Sequence, residues 1–343
     1  MKILEEGKGK LIGWRDPDEN RQWVLEHKSR KLEDKRMTAA DAVTRFVNDG
    51  DFLVMGGFGH IRVSMILIYE LIRQGKRGLK MAGKTAVHDS DVLVAAGCVD
   101  EIEVAYTFGH ELRGLSPASR RAAESGKLKI AGEISNAGYQ WRFLAGMMGL
   151  PFMPSRNLLG TDTLKHSSAK VVEDPFSGKP ICLLPAAYPD VCFIHVPRCD
   201  KYGNAQIDGI MVEDFELSRA ARKLVITTEE IVDEDFIRET PDRTAIPFFL
   251  VDAVVEAPFG SHPCLMPYKY YFDEEHIGEW LSVSKTDDGV KQYLDKYVFG
   301  VADFAGYLEK IGGRAQLEHL ARVEHYQEQM RAPWVDARKD GGK

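Results

Sequence analysis

The sequence predicts an α/β protein built on an open, mostly parallel sheet with helices on both faces, a three-layer α/β/α arrangement. Short apolar segments such as LVM and VCFIHV alternate with amphipathic segments such as RVSMILIYELIRQG, as in parallel sheets. The chain has 343 residues, of which 44% are hydrophobic and 28% charged. This length and composition are sufficient for one large core or two ordinary ones.

The alternation starts at Met37. TAADAVTRFVNDGD predicts a helix closed by Gly50, LVM predicts a strand, and RVSMILIYELIRQG predicts a helix closed by Gly75. GLKMAG, DVLVAAG and EIEVAYTF then predict a strand, a short helix and a strand.

The second half of the chain continues this pattern. Ser116-Pro117 is a helix start and Gly126 a helix stop, and LKIAG and SNAGYQWRFLAGMMG predict a strand and a helix. Strand VCFIHV, helix VEDFELSRAARK and strands KLVITTEEIV and FFLVDAVVEAP complete the predicted sheet. Residues 150–190 are rich in Pro and Gly, with a hairpin-like turn at Ser177-Gly178, and we expect this segment to wrap a site or an interface.

Both ends of the chain are polar. Residues 1–36 form a charged extension that we expect to pack on something else, and residues 37–312 form the main domain. Residues 313–343 predict a polar helical tail that packs on a partner or solvent rather than on the core.

Composition excludes several classes of function. The net charge is −7 and the basic residues are scattered, so we expect no nucleic-acid partner. No run reaches the ~18 apolar residues of a membrane span, and the first ten residues lack a secretory signal, which predicts a cytoplasmic protein.

The cysteines predict neither a disulfide framework nor a zinc site. They are odd in number and never spaced as CxxC, so we expect most of them to be buried small hydrophobic residues; they are Cys98, Cys182, Cys192, Cys199 and Cys264.

The glycine segment DGDFLVMGGFG, residues 49–59, is the strongest functional signal. Glycine allows positive φ and brings bare backbone against a ligand, and the first amides of a following helix attract an acyl oxygen or carboxylate. The spacing differs from the GxGxxG dinucleotide fingerprint, and no GKT or GKS follows. The alternative is a tight turn between a strand and a helix.

This segment resembles the first half of the signature of family I CoA-transferases, in the α-type subunit. That signature continues with glycine and proline, whereas Arg62 and Ser64 stand here, which is similar to the glutaconate CoA-transferase branch. The resemblance extends from about Met37 to about Tyr307 through RFLAGMMGLPFMPSRNLLGTD, PDVCFIHVPRCDKYGNAQIDG, VITTEEIV and VDAVVEAPFGSHP. It implies a CoA-transferase-like fold for residues 37–312.

The resemblance also implies ping-pong chemistry. A glutamate attacks the acyl-CoA thioester to give a mixed anhydride, and the released CoA then forms an enzyme-CoA thioester. In the family that glutamate lies in a Ser-Glu-Asn-Gly-like motif of the other subunit, and the closest string here is the differently ordered 133–136, EISN. We therefore expect a homologous β subunit that carries the glutamate, in a heterodimer or higher (αβ)n oligomer. Coenzyme A would be a substrate, with no metal or redox cofactor.

With the nucleophile on the other subunit, this chain would bind the substrate and stabilise an oxyanion. Arg62 would pair with a dicarboxylate or be a solvated first-turn residue, and the start of the SNAGYQWR helix would offer hydrogen-bond donors or ordinary caps. The candidate substrate-binding and oxyanion residues are Gly56, Gly57, Phe58, Gly59, Arg62, Ser135, Asn136 and Gln140.

Other polar residues have less prominent expected roles. His195 lies in an apolar strand and is expected to be a satisfied core residue, and Glu229 and Glu230 are expected to be structural or at an interface. Glu111, in the loop GHELRGLSP after a strand, is the best carboxylate in this chain should the partner glutamate be absent.

Two other functions are open at this level. One is the α subunit of a CoA-dependent hydrolase that opens a ring of a steroid-derived acyl-CoA, whose base would be sought at Ser135-Asn136, where this chain has no acid. The other is a non-catalytic subunit that binds acyl-CoA or serves as a scaffold. The acyl group is also open: glutaconate, a 3-oxo acid, an aromatic acid or a branched acid.

Overall fold

The computed structural model describes residues 2–110 and 113–325. Its strands are β1 Ile3–Glu6, β2 Phe52–Met55, β3 Leu79–Lys84, β4 Val99–Ala105, β5 Lys129–Glu133, β6 Phe152–Ser155, β7 Lys170–Glu173, β8 Pro180–Pro185, β9 Val191–Val196, β10 Arg198–Cys199, β11 Ala205–Gln206, β12 Lys223–Thr228, β13 Thr244–Ile246 and β14 Ala253–Glu256.

The α-helices are α1 Pro17–His27, α2 Ala39–Phe46, α3 Met65–Arg73, α4 His88–Ala95, α5 Pro117–Glu124, α6 Asn136–Met148, α7 Asp162–His166, α8 Asp214–Ala220, α9 Glu234–Glu239, α10 Glu274–Val283, α11 Asp287–Leu294, α12 Phe304–Lys310 and α13 Gly313–His325. Short 3₁₀ turns lie at Pro241–Arg243 and Phe248–Leu250, and a π turn at Asp295–Phe299 follows α11.

The main sheet has seven strands in the order β14-β12-β9-β2-β3-β4-β5. Its pairs are all parallel, which confirms the predicted α/β class. From β2 the chain runs outward to β5, and it then returns to the other side of β2 to form β9, β12 and β14. The winding direction therefore reverses between β2 and β9, and this point is the topological switch of the sheet.

Both faces of this sheet are buried, because successive strand residues point to opposite sides. Leu53 and Phe193 lie in one core with Leu67 of α3, while Val54 and Ile194 lie in a second core with residues of α6 and α8. Strand β9 is buried along its whole length, which explains why VCFIHV is a continuous apolar run.

Local signals set several helix ends as predicted. The Ser116 hydroxyl accepts a hydrogen bond from the Ser119 amide at the start of α5, and Gly149 ends α6 in the left-handed region at φ 68°. The helix predicted from RVSMILIYELIRQG starts later, at Met65, because Arg62 has φ 55° and such a residue does not continue a right-handed helix.

Residues 150–190, expected to be loop-rich, form part of a second sheet. Strands β6, β7 and β8 pair antiparallel with one another and with β1 in the order β1-β7-β8-β6. The predicted turn at Ser177-Gly178 is confirmed, since it joins β7 to β8. The strands were missed because proline lies within β6 and at both ends of β8, and because β7 pairs with β1, which lies far away in sequence in the N-terminal extension.

The N-terminal extension packs on the rest of this chain. Lys10 donates to both oxygens of Glu101 at 2.8 and 2.7 Å, and Lys28 pairs with Asp252 at 2.8 Å. Lys10 and Lys28 therefore tie the extension to the main domain.

The start of the C-terminal tail forms α13, and its residues after 325 lie outside the described residues. Leu320 of this helix is buried in a small cluster with Met266 and Tyr270. The expectation that the tail avoids the core is therefore wrong for Leu320.

The five cysteines are buried, as predicted. Within residues 2–110 and 113–325 no helix is long and apolar enough to cross a membrane. The expected cytoplasmic location stays a prediction.

Candidate functional site

The loop after β2 lies at the topological switch point, where open parallel sheets bind ligands outside the carboxyl ends of their strands. Residues 56–62 leave β2 here and face the ends of β3 and β9. The glycine segment singled out from sequence therefore lies at the expected position of a ligand crevice.

Backbone strain is concentrated at this same edge of the sheet. The described residues include six non-glycine positions with φ between 49° and 69°, and all follow the carboxyl ends of strands of the main sheet; they are Arg62, Thr85, Tyr106, Phe108, Phe259 and Tyr268. Such conformations cost energy and persist where the surrounding structure holds them, as it does around functional sites.

Gly56 and Gly57 leave no room for a side chain. A Cβ on Gly57 would lie 2.3 Å from the Ile61 carbonyl oxygen, and one on Gly56 would lie 2.4 Å from the Asp214 carboxylate. Gly57 also has φ 87°. These glycines are required by close packing of the loop against itself and against α8.

The amides of this loop donate within the chain. Gly56 donates to the Phe193 carbonyl, Phe58 to the Ile61 carbonyl and Gly59 to the Thr85 carbonyl, at 2.8 to 3.1 Å. The Gly57 amide donates to Asp214 Oδ1 at 3.1 Å. The four N–H groups suggested as oxyanion donors thus already have acceptors, and contact of a substrate with the loop surface stays a prediction.

Arg62 is fully buried and forms a bidentate ion pair with Asp214 of α8. Nη1 lies 3.1 Å from Oδ1 and Nη2 lies 2.6 Å from Oδ2, and both side chains have 0% exposure. Arg62 also donates to the carbonyls of His195 and Ile210. It is therefore neither solvated nor in the first turn of α3, and the guanidinium expected to face a dicarboxylate instead ties the loop to α8.

A second buried ion pair joins Lys84, at the end of β3, to Glu213, which precedes α8. Lys84 Nζ lies 2.7 Å from Glu213 Oε2 and 5.9 Å from the centre of the Phe58 ring. Burial raises the pKa of Glu213 to about 8, because desolvation outweighs the neighbouring cation. The Lys84 side chain thus lies directly behind the loop, where it is 7% exposed.

Two of the three candidates at the start of α6 are accounted for without a ligand. The Ser135 hydroxyl accepts from the Gly138 amide as the N-cap, and the Asn157 side chain donates to it. Asn136 is exposed.

Gln140 is the α6 candidate that reaches the buried pair. It accepts from Lys84 at 3.3 Å and donates to Glu216 Oε1 at 3.0 Å. Of the three candidates in this part of the chain, Gln140 is therefore the one that contacts the charged groups behind the loop.

His195 is a satisfied core residue, as expected. Its ring nitrogens lie 2.8 Å from Thr227 Oγ1 and 2.7 Å from Glu229 Oε1. Glu229 also accepts from the Tyr270 hydroxyl at 2.5 Å and from the Phe259 amide at 2.7 Å. This carboxylate is held by three donors in the interior, which fits the structural role predicted for it.

Three buried histidines at this edge were not found from sequence. His60, His88 and His110 follow β2, β3 and β4, and the ring of His110 lies 5.3 Å from His60 and 6.3 Å from His88. We call them the three-histidine cluster. Among residues 2–110 and 113–325, neither ring nitrogen of His88 or of His110 has a hydrogen-bond partner, and each such group costs about 1–3 kcal/mol. In the sequence, the indication of this cluster is that each histidine follows a predicted strand.

The other candidates add two observations. Glu111, the fallback carboxylate, lies outside the described residues. Within the described part of the chain, no group of three or more His, Cys, Asp or Glu side chains is arranged to hold a metal ion.

The parallel sheet, the strained edge and the glycine loop define the chain as an α/β protein whose switch-point edge is the expected position of a ligand crevice. A family model described as Coenzyme A transferase matches residues 36–257. The chain belongs to the coenzyme A transferase family.

Curated relatives support the same placement. The glutaconate CoA-transferase of Acidaminococcus fermentans has an A-type subunit that is 30% identical over 296 residues, which are 81% of this chain and 92% of that protein. The crystal structure of that transferase matches with a TM-score of 0.80 at 29% identity, covering 83% of this chain and 95% of that chain.

Two further relatives differ in the chemistry that their names describe. The A-type subunit of the 3-oxoadipate CoA-transferase of Pseudomonas knackmussii is 32% identical over 279 residues, 80% of this chain and 97% of that protein. The cholesterol ring-cleaving hydrolase IpdA subunit of Rhodococcus jostii is 27% identical over 280 residues, 79% of this chain and 94% of that protein. This chain is thus a homologue of A-type transferase subunits, and it is also similar to a hydrolase subunit.

Proposed function

We propose that this chain is the α subunit of a heteromeric CoA-transferase that moves CoA from an acyl-CoA to a free carboxylic acid. Homology to two A-type transferase subunits supports the reaction class. A homologous β subunit supplies the nucleophilic glutamate, in a heterodimer or higher (αβ)n oligomer.

This division of roles between the two subunits rests on one observation, namely that the carboxylates at this edge of the sheet already have partners. Asp214 is paired with Arg62, Glu213 with Lys84, and Glu229 accepts three hydrogen bonds. A nucleophile must approach the thioester carbon with a free lone pair, and these buried carboxylates are engaged elsewhere. Their engagement supports a nucleophile that comes from the partner subunit.

The reaction proceeds by two exchanges at that glutamate. Its carboxylate attacks the thioester carbon and expels CoA as thiolate, which gives an acyl-glutamyl anhydride. The thiolate then attacks the glutamyl carbonyl and releases the first acid, leaving a glutamyl-CoA thioester. The acceptor acid reverses both steps, so CoA leaves on the new acyl group and the glutamate is restored.

This chain shapes the acyl side of the cleft. The surface of the loop from Gly57 to Gly59, with the Phe58 ring, lies against the acyl group, and Gly56 and Arg62 hold that loop in place. Lys84 stabilises negative charge that develops near Phe58, and Gln140 and Ser135 hold the start of α6 beside it.

The test is exchange of CoA between an acyl-CoA and an isotope-labelled acid. The chain is co-expressed with its β subunit, and the complex is compared with this chain purified alone. We expect label to enter acyl-CoA with the complex and not with the chain alone. Exchange catalysed by the chain alone would contradict the proposal.

The same assay separates the rival functions. Release of free CoA at the rate of acyl-CoA loss, with no label in the thioester, would identify the hydrolase. Acyl-CoA binding without either reaction in the complex would identify a binding or scaffold subunit.

A further inference from the structure

A tight turn joins β7 to β8 and holds an aromatic side chain out of the protein. The Asp174 carboxylate accepts hydrogen bonds from the Phe176 amide at 3.0 Å and from the Ser177 hydroxyl, and the Gly178 amide donates to the Asp174 carbonyl. The hydrogen bond from Ser177 lowers the pKa of Asp174, so this carboxylate keeps its contacts near neutral pH. The turn is therefore well defined, although Phe176 at its tip is 99% exposed.

A pocket of about 690 Å³ opens beside this hairpin. Its apolar walls include Leu4 of β1, Leu159 after β6 and Ile181 of β8, and Ser177 of the turn also lines it. Pockets of about 300–1,000 Å³ accept groups larger than a single phenyl ring. The exposed ring of Phe176 thus lies next to a pocket that is large enough to hold such a ring.

The apolar surface extends along β1, which is an edge strand of the second sheet. Ile3 and Leu4 of this strand are 50% and 45% exposed. Single exposed apolar residues are ordinary on a protein surface, but here three of them adjoin one pocket with apolar walls. A contiguous arrangement of this kind is typical of a surface that binds another protein.

The rim of the pocket carries charges of both signs. Glu5, Arg156 and Lys179 line the pocket, and all three are exposed. Within residues 2–110 and 113–325, none of these three side chains forms an ion pair. A rim with unpaired charges of both signs fits a partner surface that carries the same mixture.

This face of the chain is complementary to itself. It combines an exposed ring, a pocket that can hold a ring, and unpaired charges of both signs. In a two-fold contact the same patch of each copy faces the other, so both rings can enter both pockets at once. The pocket is lined by the second sheet and the segment after β6, so it is separate from the glycine loop at the switch point.

We propose that this face binds a second copy of this chain across a two-fold axis, with Phe176 of each copy inserted into the pocket of the other. Glu5 of one copy then pairs with Lys179 or Arg156 of the other, which fixes the orientation of the contact. In the complex this contact joins two heterodimers, and the switch-point edge of each copy stays available to its β subunit.

The test measures the mass of the complex by sedimentation equilibrium over a range of concentrations. We expect two copies of this chain in each wild-type particle. Phe176→Ser removes both rings from the contact, and it should raise the dissociation constant of the two copies by at least about thirtyfold. Its far-UV circular dichroism should be that of the wild type, because Phe176 is exposed and contributes nothing to the core.

Phe299→Ser is the matched control. Phe299 is also an exposed phenylalanine, at 53%, but it lies in the π turn after α11 and does not line the pocket. This variant should leave the dissociation constant within about twofold of the wild-type value.

A mixing experiment tests the insertion of one copy into the other. Leu4→Arg places a charge on the pocket wall and keeps Phe176, whereas Phe176→Ser keeps the pocket. Neither variant should pair with itself. A mixture should form mixed pairs, because Phe176 of the first variant enters the intact pocket of the second, and native mass spectrometry distinguishes these pairs by mass.

Several outcomes would overturn the inference. One copy of this chain in each wild-type particle would remove it, and so would a dissociation constant unchanged in Phe176→Ser. Mixtures that pair no better than the separate variants would show that the ring does not enter the second copy. Loss of the β subunit from Phe176→Ser, with two copies of this chain retained, would assign the face to the β subunit.

These readouts do not depend on catalysis. If no β subunit binds, the same measurements are made on this chain alone, and two copies in each particle are still expected. The inference is therefore judged separately from the proposed transferase function.

Discussion

The ion pair of Arg62 and Asp214 holds the loop after β2 against α8. Both side chains are fully buried, so removing one partner leaves a charge in the interior without compensation. We expect Arg62→Met to lower the free energy of unfolding by about 3–5 kcal/mol, as measured by urea denaturation. The exposed pair of Arg120 and Glu124 is the control, and Arg120→Met there should have little effect. Equal losses in the two variants would contradict the assigned role.

Glu213 makes stability depend on pH. Its pKa is raised from 4.5 to about 8 by burial, so the folded state binds more protons than the unfolded state between these values. The free energy of unfolding therefore falls as pH rises through this range, by at most about 1.4 kcal/mol per pH unit, and levels off above it. Glu213→Gln should flatten this decline in urea titrations from pH 5 to 9. Identical profiles for the variant and the wild type would disprove it.

The sequence predicted which residues lie at the carboxyl edge of the main sheet better than it predicted their contacts. Gly57 and His195 could be understood from local pattern, since one lies in a tight turn and the other in an apolar strand. Arg62 could not, because its partner Asp214 is 152 positions away and reaches it only through the return of the chain to β9. The spacing of His60, His88 and His110 likewise has no local periodicity.

The loop from Gly56 to Arg62 is closely packed, and substitution of one of its glycines tests whether that packing is required. Gly57→Ala places a Cβ 2.3 Å from the Ile61 carbonyl, whereas Gly75, which has a similar positive φ, has nothing within 4 Å of an added Cβ. Both variants bear the strain of positive φ, about 1 kcal/mol. We expect Gly57→Ala to lose about 1–3 kcal/mol more and over about tenfold of kcat/KM, and Gly75→Ala to keep its activity.

Exchange assays and urea denaturation of the two variants provide the measurement. Full activity of Gly57→Ala would show that the loop can move away from the cleft without consequence. In that case the loop surface would not shape the acyl site.

Elements buried on both faces were predictable, and elements with distant partners were not. The run VCFIHV matches β9 because parallel strands in a covered sheet are apolar throughout. Strand β7 pairs on one side with β1, from the distant N-terminal extension, and on the other with β8, which starts and ends at proline. The non-local pair leaves little trace in a single sequence.

The stability of the whole molecule depends on the N-terminal extension. Ile12 is buried in the second core, and its carbonyl accepts from Arg142, which is itself buried against Glu103. Deleting residues 1–12 removes that burial and leaves Arg142 without one acceptor. We expect a loss of at least about 3 kcal/mol in the free energy of unfolding, measured by urea denaturation.

Ile12→Ala separates the two contributions, because it keeps the carbonyl and shortens the side chain. It should account for about 2–4 kcal/mol of the loss. A deletion variant as stable as the wild type would show that the extension is an independent appendage.

The division of labour between the two proteins of the complex is the central claim, and one measurement tests it most directly. The complex is incubated with acyl-CoA, treated with borohydride to reduce the enzyme-CoA thioester, and digested for peptide mass spectrometry. The account predicts a reduced glutamate, converted to its alcohol, in the β subunit and none among the peptides of this chain. A reduced carboxyl on a residue of this chain, Glu111 included, would contradict it.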